Sequence, residues 1–126
     1  MIEAEKFSAV AAVVQEYLDC LYDYDARSFS RVFHPHARYT CATGGHWVHL
    51  DMVQYRALVE ARPTPRSQQH PRSDEVIAIE FAGTAAASAR LACSIPGKSF
   101  IDLLTLVYLD GRWQIISKVF DYQARD

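Results

Sequence analysis

FIDLLTLVYLDGRWQIISKVFDY, residues 100–122, is the stretch whose reading decides the fold. Asp110-Gly111 between two apolar runs is a strong short-range hairpin signal. Neither arm alternates cleanly between apolar and polar positions. Ile101, Leu103, Leu104, Leu106, Val107 and Leu109 put apolar groups on both faces of the first arm. Trp113, Ile115, Ile116, Val119 and Phe120 do the same for the second. An antiparallel hairpin with one face in water should alternate, so this one is expected to be covered on both sides. The chain's own helices can cover one side. A second copy is expected over the other, on a convex face that includes Leu103, Ile115 and Val119.

Asp102 and Lys118 interrupt this apolar region, and the turn decides whether they meet. In a two-residue type I′ turn Leu109 opposes Arg112, and the two charges fall on opposite faces. A three-residue loop with a left-handed Gly111 makes Tyr108 oppose Arg112 instead. It sets Asp102 directly across from Lys118, beside Phe100, Leu104, Ile116 and Phe120. A charge on a buried face is tolerated mainly when paired, so this second register is the expected one. The alternative is an exposed ion pair at the sheet rim, which contributes little.

At 126 residues with 50% hydrophobic content, the chain is expected to form one domain, residues 1–126, with a single core. A net charge of −2 with scattered Lys and Arg gives no nucleic-acid surface and no polybasic membrane patch. No run approaches the ~20 apolar residues of a membrane span. The opening MIEAEKFSAV has no signal-peptide core. Cys20, Cys41 and Cys93 are widely spaced and form no CxxC, which suits reduced thiols in a cytoplasmic protein. No glycine-rich phosphate loop and no metal-ligand spacing occurs, so no cofactor and no metal is expected.

Val10, Val14, Tyr17, Leu21 and Tyr24 recur at spacings of four and three and predict a helix from about Glu3 to Tyr24. Tyr17 sits mid-stripe, so its hydroxyl needs a partner inside. Asp25 reads as the N-cap of a second helix through Phe33, which His34-Pro35-His36 ends. Residues 37–42 follow as a strand with Tyr39 and Cys41 on one face, and residues 46–50, including Trp47, as a shorter one. Asp51 and Gln54 form a capping box for a third helix burying Tyr55, Val59, Leu58 and either Met52 or Val53. Residues 62–72, with three prolines, read as a polar connector that could rim a pocket. Strands at 76–81 and 85–95 follow, the second rich in alanine.

The segments AVVQEYLDCLYDYD, VFHPHARY and LDGRWQIISKVFDY, in this order of elements, resemble the nuclear transport factor 2-like superfamily. More narrowly they are similar to small bacterial proteins of the lumazine-binding and SnoaL-like groups. The resemblance implies an α+β fold: a cone-shaped α+β barrel with three helices from the N-terminal half on a strongly curved, mostly antiparallel sheet. It also implies an internal pocket and often a homodimer through the outer sheet face. Ketosteroid isomerases share that fold, and the position of their oxyanion-hole tyrosine falls on Tyr17. Counting eight residues on from Phe33 to the position of their general base lands on Cys41, and a thiol does not replace a carboxylate base. The isomerase mechanism is therefore not carried over. Their inward positions on the last strand fall on Ile116, Lys118 and Phe120.

Three functions stay open: a binding protein for a small hydrophobic or aromatic ligand, a cofactor-independent lyase, isomerase or cyclase, and a dimeric adaptor. For binding, the candidate lining is Tyr17, Tyr39, Cys41, Trp47 and Tyr55 from the first half of the chain. Phe100, Asp102, Leu104, Ile116, Lys118 and Phe120 are its candidates from the hairpin. For catalysis, Tyr17, Asp102 and Lys118 are the acid–base candidates. The first two classes differ in whether a titratable group there has a pKa near neutrality.

Overall fold

The computed structural model describes residues 3–125. The elements run α1 (Glu3–Tyr22), α2 (Ala26–Val32), β1 (Phe33–Cys41), β2 (Val48–Leu50), α3 (Met52–Glu60), β3 (Asp74–Ala82), β4 (Ala86–Ile95), β5 (Lys98–Leu109) and β6 (Arg112–Ala124). Val10, Val14 and Tyr17 form the buried stripe of α1, joined by Leu18. Asp25 caps α2 by accepting from the Ser28 amide, and Asp51 and Gln54 close the capping box on α3. Phe33 leaves α2 and opens β1. Leu58 and Val53 stay exposed, so Tyr55 and Val59 are the buried face of α3.

The six strands form one mixed sheet in the order β2-β1-β6-β5-β4-β3. Only β1 with β6 is parallel; the other neighbours are antiparallel. The sheet is open rather than closed into a barrel, with β2 and β3 as its edges. Helix α1 packs against β3, β4 and β6, and α3 against β1 and β2. Small residues on β4 make this close: Ala87 and Ala89 are buried. Lys6 fastens the start of α1 through Nζ to the Gly83 carbonyl at 3.1 Å and lies 4.6 Å from the Phe81 ring centroid. The connector folds back on the end of α1, where the Arg66 amide donates to Tyr22 O at 3.0 Å and Tyr22 Oη donates to His70 O at 2.8 Å. No helix among the described residues is long and apolar enough to cross a membrane.

The β5–β6 register departs from the expected one in an instructive way. Asp110 and Gly111 have φ of 54° and 78°, and Leu109 pairs with Arg112. This is the two-residue I′ turn, whose twist matches that of the flanking strands. The register then slips between Thr105 and Leu106: Leu106 pairs with Ile115, Thr105 with Ser117, and Ile116 is left over as a β-bulge. Ile115 and Lys118 lie three apart and would face opposite sides of a regular strand. The bulge brings both inside. Ile115 is therefore fully buried, not on the outer face, and Ile116 is half-buried in a shallow depression with Ser88, Thr105 and Val107. Asp102 pairs with Phe120 and Leu104 with Lys118, so the two charges are diagonal neighbours rather than direct partners.

Gly111→Ala tests the turn. No atom lies within 4 Å of where the new Cβ would sit, so any loss comes from the left-handed backbone alone. A destabilisation of about 1–2 kcal/mol is expected in urea melts, with Asp110→Asn near neutral because Asn tolerates that conformation. An unchanged Gly111→Ala midpoint would contradict the I′ assignment.

Candidate functional site

Four elements meet around Asp102 and Lys118. Helix α1 supplies Tyr17, β1 supplies Tyr39, α3 supplies Tyr55, and the hairpin supplies the two charges with Phe120. Asp102 is 0% exposed and Lys118 5%. Asp102 Oδ2 accepts from Tyr17 Oη at 2.5 Å and from Cys93 Sγ at 3.8 Å. Lys118 Nζ lies 3.9 Å from the same oxygen and donates to Tyr55 Oη at 3.1 Å. Asp102 Oδ1 is buried without any hydrogen-bond partner.

The ammonium sits in a box of rings. Its Nζ is 5.2 Å from the centroids of Tyr17 and Tyr55 and 5.3 Å from those of Tyr39 and Phe120. Such contacts contribute on the order of 1–2 kcal/mol when desolvated. The rings also brace one another: Tyr39 and Tyr55 are 4.3 Å apart, Phe33 lies 5.6 Å from Tyr55 and 5.8 Å from Tyr17. Phe120 continues the series to Phe100 at 5.7 Å, and Phe100 to Tyr122 at 5.6 Å.

Titration behaviour follows from this packing. Burial lowers the Lys118 pKa, but the Asp102 carboxylate, then the tyrosine hydroxyls, outweigh it and leave the ammonium above its ordinary range. Burial, reinforced by the Asp102 charge, raises Tyr17 well above its usual value. The same two causes push the Cys93 thiol up to about 12. Tyr39 is raised by burial and partly offset by Lys118. Lys118, Tyr17, Cys93 and Tyr39 are thus all moved away from neutrality.

The structure gathers Tyr17, Tyr39, Tyr55, Asp102, Leu104, Lys118 and Phe120, with Leu104 fully buried opposite Lys118. Cys41 is buried on the same face of β1 as Tyr39 and pairs with Phe120. Phe100 sits at the cluster's edge. Trp47 and Ile116 do not join it: Trp47 is 66% exposed and stacked on His49, and Ile116 is the bulge residue. Cys93 and Phe33 are the members that sequence reasoning passed over. The alternation Leu91, Cys93 on β4 was the available signal for the first, and the ring ending α2 for the second. A surface hollow of about 430 Å³ lies over the ends of β3 to β6, with Cys93 and Phe100 in its lining. Among the described residues, no three His, Cys, Asp or Glu side chains converge as metal ligands.

The chain matches the family described as "Putative lumazine-binding" over residues 5–121. It belongs to that family. The fold recurs in a nuclear transport factor 2-like protein of unknown function from Silicibacter pomeroyi, with 22% identity, TM-score 0.84, and 99% of this chain and 100% of that one covered. A second nuclear transport factor 2-like protein of unknown function, from Shewanella baltica, gives 19% identity, TM-score 0.85, and 99% of each chain. A ketosteroid isomerase-like protein from Erwinia carotovora gives 11% identity, TM-score 0.73, and 96% of this chain and 98% of that one. These likenesses establish the nuclear transport factor 2-like α+β cone fold. No curated protein matches the chain.

Two outcomes test the cluster. Asp102→Ala strands a buried ammonium and is expected to cost roughly 3–5 kcal/mol, while the Asp102→Leu/Lys118→Met double variant recovers much of it. Additive single effects would show that the charges do not interact. The second test is alkaline pH. Tyr17, Cys93 and Lys118 all have folded pKa values above their unfolded ones, so the native state holds more protons than the unfolded state at high pH. Stability is therefore full below the ordinary thiol pKa of 9.0 and falls as pH rises towards about 12. In urea melts across pH 7–11, Cys93→Ala should shrink the loss between about pH 9 and 10 without abolishing it, because burial also raises the Cys20 thiol. The steeper fall should still begin where tyrosine and lysine titrate, near pH 10.

Proposed function

We propose that the protein binds a small, flat, largely apolar molecule at the Asp102–Lys118 cluster. The observation that carries this reading is Asp102 Oδ1, a fully buried carboxylate oxygen with no partner, beside an ammonium with one hydrogen bond. Buried polar groups in folded proteins are nearly always satisfied, and a structural core gains stability by replacing such a pair with apolar residues. Polar groups left short of partners and walled by aromatic rings follow the pattern of a small-molecule site. The family's description names lumazine, a flat heteroaromatic, which suits such walls. Binding is favoured over acid–base catalysis because Tyr17, Cys93 and Lys118 are all shifted away from the working range of a general acid or base.

Native mass spectrometry of protein purified without denaturant is the direct test. A carried small molecule is expected on the wild type and absent from the folded Asp102→Leu/Lys118→Met variant. A wild-type chain that carries nothing, and whose melting temperature no flat aromatic compound raises, would overturn the reading.

The outer sheet face fits a homodimer. Leu103 and Val119 are paired across β5 and β6, stand 43% and 44% exposed, and adjoin the exposed Ile101. Apolar groups grouped on an open sheet face favour a second copy. Light scattering should give a dimer for the wild type and a monomer for Leu103→Glu/Val119→Glu; a wild-type monomer at micromolar concentration would exclude this arrangement.

A further inference from the structure

We infer that the cluster selects neutral ligands carrying a hydrogen-bond acceptor and donor side by side, as in the C=O and N–H of a cyclic amide. This rests on the reading that the cluster binds a small molecule, and adds which chemistry it takes. Four rings at 5.2–5.3 Å around one point are the arrangement that recognises an ammonium ligand. Here the protein's own Lys118 fills that place. A cationic ligand would meet a like charge in its seat. An anionic ligand drawn to Lys118 would meet Asp102, which already balances the lysine at 3.9 Å and is itself fully buried. Both classes of charged ligand are therefore disfavoured by a charge they cannot neutralise.

The unused capacity of the pair specifies what remains. An ammonium has three donors, of which Lys118 uses one on Tyr55. At 3.9 Å, Asp102 Oδ2 is too distant to take a second as a hydrogen bond. Asp102 Oδ2 serves Tyr17 and Cys93, whereas Oδ1 accepts nothing. Two unused donors on Lys118 thus stand near one unused acceptor on Asp102. A ketone would satisfy only the lysine and an aryl amine only the aspartate. A lactam offers its carbonyl to Lys118 and its N–H to Asp102 Oδ1 from adjacent atoms of one rigid ring. A site built to pair such a group rejects an analogue lacking it strongly, since the buried partner is then left unpaired.

Isothermal titration of the full chain with five probes of matched size tests the selection: isoquinolin-1-one, its N-methyl derivative, 1-naphthol, 1-naphthoate and 1-naphthylmethylammonium. Isoquinolin-1-one is expected to bind, N-methylation to weaken it at least tenfold, and the two charged probes to give no measurable heat. Lys118→Met, with its circular dichroism unchanged, should abolish the lactam's binding. Equal affinity for the lactam and its N-methyl derivative, or tighter binding of 1-naphthol or a charged probe, overturns the selection while the binding reading stands. Lactam binding that survives in Lys118→Met also overturns it. No binding of any of the five, together with no carried molecule in native mass spectrometry, overturns both.

Discussion

An ion pair buried between three tyrosines and a phenylalanine sets the terms for everything around it. Removing an ammonium and a carboxylate from water costs several kcal/mol per ion, and only close partners offset that. Four elements contribute one each: Tyr17 from α1, Tyr55 from α3, Tyr39 from β1, Cys93 from β4. The pair can exist only where these elements converge, so the helices cannot shift over the sheet without exposing a charge to apolar surroundings. Lys118 reaches the interior because of one surplus residue. Without the bulge at Ile116, either Ile115 or Lys118 would have to face outwards, and the core would lose a branched aliphatic or its cation.

The aromatic residues act as more than filler. A ring presents a negative face to a cation and a positive edge to another ring. The box around Lys118 uses the first property, and the edge-on contacts of Phe33 with Tyr17 and Tyr55 use the second. Tyr17 and Tyr55 touch the ions through oxygen, while Tyr39 and Phe120 face the same ammonium with their rings.

Much of this was legible in the sequence, and the parts that were not share a physical reason. The stripe Val10, Val14, Tyr17, the Asp25 cap and the Asp51–Gln54 box are local features, and the structure contains all three. The pairing of Asp102 with Lys118 on a buried face was also readable, from how rarely charges are buried alone. The register was not. A one-residue extra at the turn and a one-residue extra within the strand both restore the same facing, and nothing local distinguishes Gly111 from Ile116 as its position. That ambiguity misplaced Ile115 and Ile116 while leaving Lys118 correctly oriented. Trp47 shows a different limit: its size favours burial, but a three-residue edge strand offers little to cover it. Cys93 was read only as a reduced thiol because its partner Asp102 stands diagonally across the neighbouring strand, visible only once β4 and β5 are aligned.

The place of β6 in the sheet bears on how such a chain comes into being. The sixth strand in chain order lies in the middle of the sheet, hydrogen-bonded to β1 on one side and β5 on the other. Until residues 112–124 emerge, β2-β1 and β5-β4-β3 are two separate fragments with no backbone bonds between them. Tyr17 waits for a carboxylate 85 positions further along. Contacts of such long sequence separation slow folding, because loop closure must precede any gain from them. During synthesis the aromatic walls of Tyr17, Tyr39 and Tyr55 thus precede the cation they surround, and the sheet stays in two pieces until β6 is made.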